Sequence, residues 1–86
     1  ICSSKGIDTS MGITDSNEKD AEMKKAIFNA ATRRVLALDG SKFDQISFIK
    51  VCDIRDIDVI VTDEDPGASW RKRFNDNDVM LKVYGE

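Results

Sequence analysis

The sequence predicts an α/β domain with a mostly parallel sheet, and two features carry the prediction. Val35-Leu36-Ala37-Leu38 and Val59-Ile60-Val61 are unbroken apolar runs of strand length, as strands buried on both faces require. A helical pattern precedes the first run and another follows the second, the alternation of a sheet built from β-α-β crossovers. Two such strands need helical cover above and below, yet the 86 residues offer one long helix and one short one. The shortfall points to a partial three-layer domain, truncated on its N-terminal side and completed by absent residues or by a second copy of the chain.

Each element follows from local pattern. Gly6 and Gly12 mark turns in the opening segment. Asp15 to Thr32 reads as a helix, with Asp15 as cap and Glu18 three residues on as in a capping box. Met23, Ala26, Ile27, Ala30 and Ala31 recur at helical spacing, a narrow stripe suited to packing on a sheet, with Phe28 at its border. The strand Val35 to Leu38 leads into a turn through Lys42. Ile46 to Cys52 alternates weakly and reads as a strand, plain or bulged. Asp53 to Asp56 connects it to the second apolar strand, Val59 to Val61, which ends in Thr62-Asp63-Glu64-Asp65 before Pro66-Gly67 punctuates. A short helix over Ala68 to Phe74, an Asn-Asp turn over Asn75 to Asp78 and an edge or half-covered strand over Val79 to Tyr84 complete the chain.

Composition narrows the function. A formal charge of -3 with a pI near 4.9 argues against a nucleic-acid or anionic-membrane surface on this segment, which would need clustered Lys and Arg. No apolar run approaches the roughly 20 residues that span a bilayer, and no basic-then-apolar leader is present, so a soluble cytoplasmic protein is expected. Two cysteines, Cys2 and Cys52, without any histidine supply neither a disulfide framework nor a transition-metal set, and read as reduced thiols. No metal and no cofactor is expected.

The candidate site is the turn Asp39-Gly40-Ser41-Lys42. Open α/β sheets bind ligands at the carboxyl ends of their strands, where this turn falls. Gly40 permits close backbone approach, Ser41 offers a hydroxyl, the turn amides can cradle phosphate oxygens and Lys42 adds an ammonium. The same residues also read as a plain strand exit with a solvated lysine, since the glycine-rich spacing of a nucleotide loop is missing. Asp39 can cap the turn, orient Lys42, or both. The cluster Asp63-Glu64-Asp65 lacks the ligand alternation of a calcium loop and reads as a solubilising turn. Arg71-Lys72-Arg73 reads as a solvated helix face, and Trp70 with Phe74 as the residues that seat the helix on the sheet or form an oligomer contact.

Gly6-Ile7-Asp8, Gly12-Ile13-Thr14, Asp20-Ala21-Glu22-Met23-Lys24, Asp39-Gly40-Ser41-Lys42-Phe43 and Ile57-Asp58-Val59-Ile60-Val61-Thr62-Asp63 stand in that order along the chain. Together they resemble the C-terminal half of the effector-binding domain of DeoR-family transcriptional repressors. The likeness runs to about Asp65, and beyond Pro66 only the helix-then-strand pattern agrees. It implies that residues 1–86 form the C-terminal part of one sensor domain of a bacterial sugar-metabolism regulator. The sensor would take a phosphorylated sugar and control operator binding by an N-terminal winged helix-turn-helix not contained in this chain. It also implies a homo-oligomer.

The sensor fold is similar to ribose-5-phosphate isomerase and glucosamine-6-phosphate deaminase, of the isomerase and CoA-transferase-like class. By that similarity Lys42 matches the lysine that contacts substrate phosphate, Asp8 an aspartate facing sugar hydroxyls, and Glu22 the glutamate that moves a proton. Taken alone, Glu22 and Lys24 read as a solvated helix face. The isomerases carry a glycine-rich segment where this chain has Gly12-Ile13-Thr14-Asp15-Ser16-Asn17, which removes backbone donors and favours a sensor over an enzyme. The expected ligand-binding set is therefore Lys42, Ser41, Gly40, Asp39, Asp8 and Glu22, with no catalytic residue. A sugar-phosphate isomerase or deaminase, and a dimerisation module without a ligand, are the alternatives.

Overall fold

The structure, a computed structural model, describes residues 2–84, without the side chain of Cys2. Four short strands form a wholly parallel sheet in the order β1 (Cys2–Ser3), β4 (Val35–Leu38), β6 (Val59–Thr62), β7 (Met80–Val83). A second sheet is antiparallel and joins β2 (Gly6–Asp8), β3 (Gly12–Asp15) and β5 (Ile49–Cys52) in that order. Helix α1 (Glu18–Ala30) packs on β5 and β3, and α2 (Ala68–Asp76) on β7. The α/β class is as expected. The mostly parallel arrangement holds for the four-stranded sheet and fails for the second, because β2 and β3 close a local hairpin that can only be antiparallel.

The apolar runs form the centre of the parallel sheet, with Val35 beside Val59 and Leu38 beside Thr62. Leu36, Leu38 and Ile60 enter one core with Ile7, Ile13 and Val51 of the second sheet, Phe28 of α1, and Trp70 and Phe74 of α2. Phe74 and Ile60 are almost wholly buried, and each contributes about 1.5–3 kcal/mol by removal from water.

Several expectations are corrected. The helix begins at Glu18, not Asp15, and its cap is Asn17, whose side chain accepts the Asp20 amide at 2.8 Å. No capping box forms at Glu18, because Asp15 lies inside β3, fully buried. The Met23 and Ile27 stripe of α1 faces outward, 56% and 46% exposed, while Ala21 and Phe28 supply the buried side. Strand β5 starts at Ile49, since Ile46 and Phe48 sit in an exposed loop pinned by the Ser47 amide donating to Thr14 Oγ1 at 2.9 Å. Gly6 and Gly12 are strand residues rather than turns. Gly12 closes the three-residue hairpin connection at φ 76°, and a Cβ there would stand 2.5 Å from the Cys52 carbonyl oxygen. Helix α2 runs two residues past Phe74, and β7 lies at the sheet edge as expected.

Candidate functional site

Strand β4 ends at Leu38, and the chain turns at once through a 3-10 turn, Gly40–Lys42. The turn is fixed from three sides. The Asp39 carboxylate accepts from the Ser41 amide at 3.0 Å and from the Ser41 hydroxyl, and the Lys42 amide donates to the Asp39 carbonyl at 3.1 Å. Asp63, at the end of the neighbouring strand, accepts the Gly40 amide at 2.8 Å. Glu64 lies so close to Gly40 that a Cβ there would stand 2.5 Å from its carboxylate, so a larger residue would push the exposed Glu64 side chain aside. Behind the turn, Phe43 stacks edge-on against Trp70 and Phe74, with ring centroids 5.4 and 6.3 Å away. The Trp70 indole donates to Asp44 at 3.1 Å, with Asp44 at φ 62°.

Lys42 is half-buried and, among the described residues, makes no ion pair. The Ser41 hydroxyl, then burial working the other way, the Ser41 amide and the Lys42 charge together hold the Asp39 carboxyl below its usual value. Beside the turn a cavity of about 320 Å³ opens at the carboxyl ends of β4 and β6, lined by Ala37, Leu38, Asp39, Val61, Thr62 and Asp63, with Tyr84 at its side. Thr62 Oγ1, at the end of β6, is buried without a hydrogen-bond partner among the described residues. The turn amides that sequence reasoning offered to a phosphate are engaged by the protein itself, so an anion must displace the Asp63 carboxylate to reach Gly40.

Asp8 and Glu22 are placed differently. A parallel bridge from Ile7 to Phe43 brings β2 alongside the turn, with Asp8 one residue past it and Lys42 one residue before it. The Asp8 carboxylate closes the β2–β3 hairpin by accepting from the Ser10 hydroxyl at 2.7 Å and the Ser10 and Met11 amides at 2.9 and 3.1 Å, which lowers its pKa. Glu22 is two-thirds exposed and pairs with Lys25 at 3.6 Å. Of the six expected ligand residues only Asp39 lines the cavity at the strand ends, and Gly40, Ser41, Lys42, Asp8 and Glu22 do not. Sequence reasoning passed over Asp63 and Glu64 as a solubilising turn, although acidic side chains directly after a neighbouring parallel strand are within reach of turn amides. It read Lys24 as solvated, whereas Lys24 pairs with the buried Asp15.

The sequence matches the DeoR C-terminal sensor domain over residues 1–64, which includes the turn, Asp8, Glu22 and Asp63. This chain belongs to the DeoR family of transcriptional regulators. It is 34% identical over 80 residues to a putative aga operon transcriptional repressor of Escherichia coli O157:H7, covering 93% of this chain and 30% of that protein. It is 32% identical over 80 residues to the L-fucose operon activator of Haemophilus influenzae, covering 93% and 32%, and 29% identical over 72 residues to the transcriptional repressor GlcR of Bacillus subtilis, covering 84% and 28%. The chain thus spans about a third of the length of these relatives. Among the described residues no helix is long and apolar enough to cross a membrane.

Proposed function

We propose that this DeoR sensor segment binds a phosphorylated sugar at the carboxyl ends of β4 and β6, and that binding controls operator recognition by a winged helix-turn-helix outside these 86 residues. The observation that carries the reading is Lys42, a half-buried ammonium without an ion-pair partner among the described residues, on a turn beside an open cavity at the strand ends. Phosphate pairs with Lys42 and, once Asp63 moves aside, with the Gly40 amide, while Asp39 stays fixed by the Ser41 amide and hydroxyl and orients the turn. Asp8 and Glu22 receive sugar hydroxyls, Asp8 from beside the turn and Glu22 only if the ligand or α1 reaches the other. The name of one relative, an L-fucose operon activator, supports a sugar-linked effector. The protein acts in the cytoplasm as a homo-oligomer, and its response requires different affinities for two states of the assembly.

Thermal shift with a panel of phosphorylated sugars and their unphosphorylated counterparts tests the reading. Only phosphorylated compounds are expected to raise the Tm, and Lys42→Ala is expected to abolish the shift. An undiminished shift in the variant would remove Lys42 from the site. The isomerase reading gains nothing from Glu22, whose carboxylate pairs with Lys25 on the helix surface.

A further inference from the structure

The tip of the β2–β3 hairpin, a 3-10 turn at Ile54–Asp56 and the carboxyl end of α2 border a second cavity, of about 270 Å³, lined by Thr9, Ser10, Asp53, Arg55, Arg73 and Asn77. The 3-10 turn leads into β6 and Asn77 into β7, so this cavity lies at the amino end of the parallel sheet. The Lys42 turn lies at the carboxyl end, separated by the length of the four-residue strands, about 13 Å.

Local hydrogen bonds hold the walls. Asp8 accepts from the Ser10 hydroxyl and from the Ser10 and Met11 amides, which sets the hairpin tip. Gly12 brings that tip against the chain at Cys52 and Asp53, where a Cβ would stand 3.1 Å from the Asp53 Cα. The Asp56 carboxylate accepts the Asp53 amide at 3.0 Å across the 3-10 turn. Asn77 donates its backbone and side-chain amides to the Arg73 carbonyl at 3.2 and 2.8 Å, closing α2.

The charges on these walls do not balance. Lys50 and Arg55 share the Asp53 carboxylate, Lys50 by a hydrogen bond and Arg55 at 3.6 Å. Arg73, which sequence reasoning placed on a solvated helix face, has a guanidinium with no ion pair among the described residues, and the Thr9 hydroxyl has no hydrogen bond among them. Asp8 and Asp56, in the same hairpin and turn, are taken up by backbone amides. A chain of formal charge -3 thus gathers two guanidiniums on one concave surface. Guanidinium forks match the oxygens of a phosphoryl group, and like charges held together favour an anion between them. The concave shape and the negative overall charge suit the terminal phosphoryl group of a small molecule rather than the continuous backbone of a nucleic acid.

We infer that this cavity is a second anion site, which takes the phosphoryl group of a small metabolite between Arg55 and Arg73, with the Thr9 hydroxyl donating to the same group. The site is separate from the Lys42 turn and does not depend on the role assigned to that residue.

The test uses the full protein that the gene encodes, carrying Lys42→Ala so that the strand-end turn does not contribute. Inorganic phosphate is the probe and sodium chloride at equal ionic strength the control, with Tm and equilibrium dialysis of radiolabelled phosphate as readouts. Saturating phosphate is expected to raise the Tm by about 2 °C or more above the chloride control. Arg55→Gln combined with Arg73→Gln is expected to abolish that rise and to remove one bound phosphate per chain. Both side chains are exposed, so the pair is expected to keep the parent's Tm in chloride. Arg73→Gln alone is expected to weaken phosphate binding by roughly tenfold. An undiminished response in the double variant would overturn the site, and so would a phosphate response no larger than that to chloride.

Discussion

Replacing Lys24 by methionine should cost this small protein a large part of its stability. Asp15 is at the end of β3 with its side chain 1% exposed, and Lys24 reaches it from α1 with 19% exposed. Methionine keeps the apolar stem of Lys24 and removes only the charge, leaving the buried carboxylate with the Ser16 amide, which donates at 2.8 Å. Removing one partner of a fully buried pair costs roughly 3–5 kcal/mol, and the one-fifth exposure of Lys24 brings the expectation to about 2–3 kcal/mol. The total for a domain of this length is on the order of 4–13 kcal/mol. Urea denaturation followed by circular dichroism should show the midpoint falling by about 2–3 M, at a slope of about 1 kcal/mol/M.

The pH dependence has a defined sign. Burial pushes the Asp15 carboxyl up, but the hydrogen bonds from Lys24 and the Ser16 amide, with the charges of Lys24 and Lys5, outweigh it and leave it below 3.8. The unfolded state therefore takes up the proton first. The stabilisation by the pair is complete above the unfolded pKa near 4 and is lost as pH falls through the lower folded value. The gap between wild type and Lys24→Met should be full at pH 7 and narrow below pH 4. Asp15→Asn combined with Lys24→Met should recover part of the loss. A gap under about 0.5 kcal/mol, or one unchanged between pH 7 and pH 3, would refute the reasoning and make this an ordinary surface pair.

Two other predictions concern the turn and the free thiol. Asp63→Ala should tighten binding of a phosphorylated ligand by roughly tenfold in a calorimetric titration, because it frees the Gly40 amide and removes a competing negative charge; weaker binding would show that Asp63 holds the ligand instead. Burial, with Asp56 and Asp53 nearby, pushes the Cys52 thiol up to about 12, so iodoacetamide at pH 8 should modify it about three orders of magnitude more slowly than an ordinary cysteine of pKa 8.5. Labelling at the ordinary rate would mean that the thiol is not shielded.

The parts of the fold legible in the sequence were those whose burial is continuous. Strands β4 and β6 are apolar on consecutive residues, and α2 carries Trp70 and Phe74 one helical turn apart, so each announced itself. Strands β1 to β3 did not, because Cys2–Ser3, Gly6–Asp8 and Gly12–Asp15 are short and carry at most one large apolar residue each, and it is pairing that makes them strands, β1 with β4 and β3 with β5 far along the chain and β2 with β3 in the hairpin. Helix α1 was found, but its orientation was inverted. Periodicity locates a stripe of Met, Ala and Ile without saying what it meets, and here Phe28 and Ala21 meet the antiparallel sheet while Lys24 bonds to a carboxylate buried within it. The Lys42 turn was readable as a strand exit, whereas its occupation by Asp63 was not, since that contact spans 23 residues.

The aromatic anchor behind the turn has an optical consequence. Trp70 is the chain's one tryptophan, and its indole N–H donates to Asp44, two residues past Lys42, while its ring touches Phe43. Indole emission depends on the charge and polarity around the ring, and the Asp44 carboxylate against it belongs to the loop that continues from the Gly40–Lys42 turn. A ligand bound at the proposed Lys42 site that moved Asp44 would change that bond, and Trp70 emission would then report it with no dye and no reporter gene.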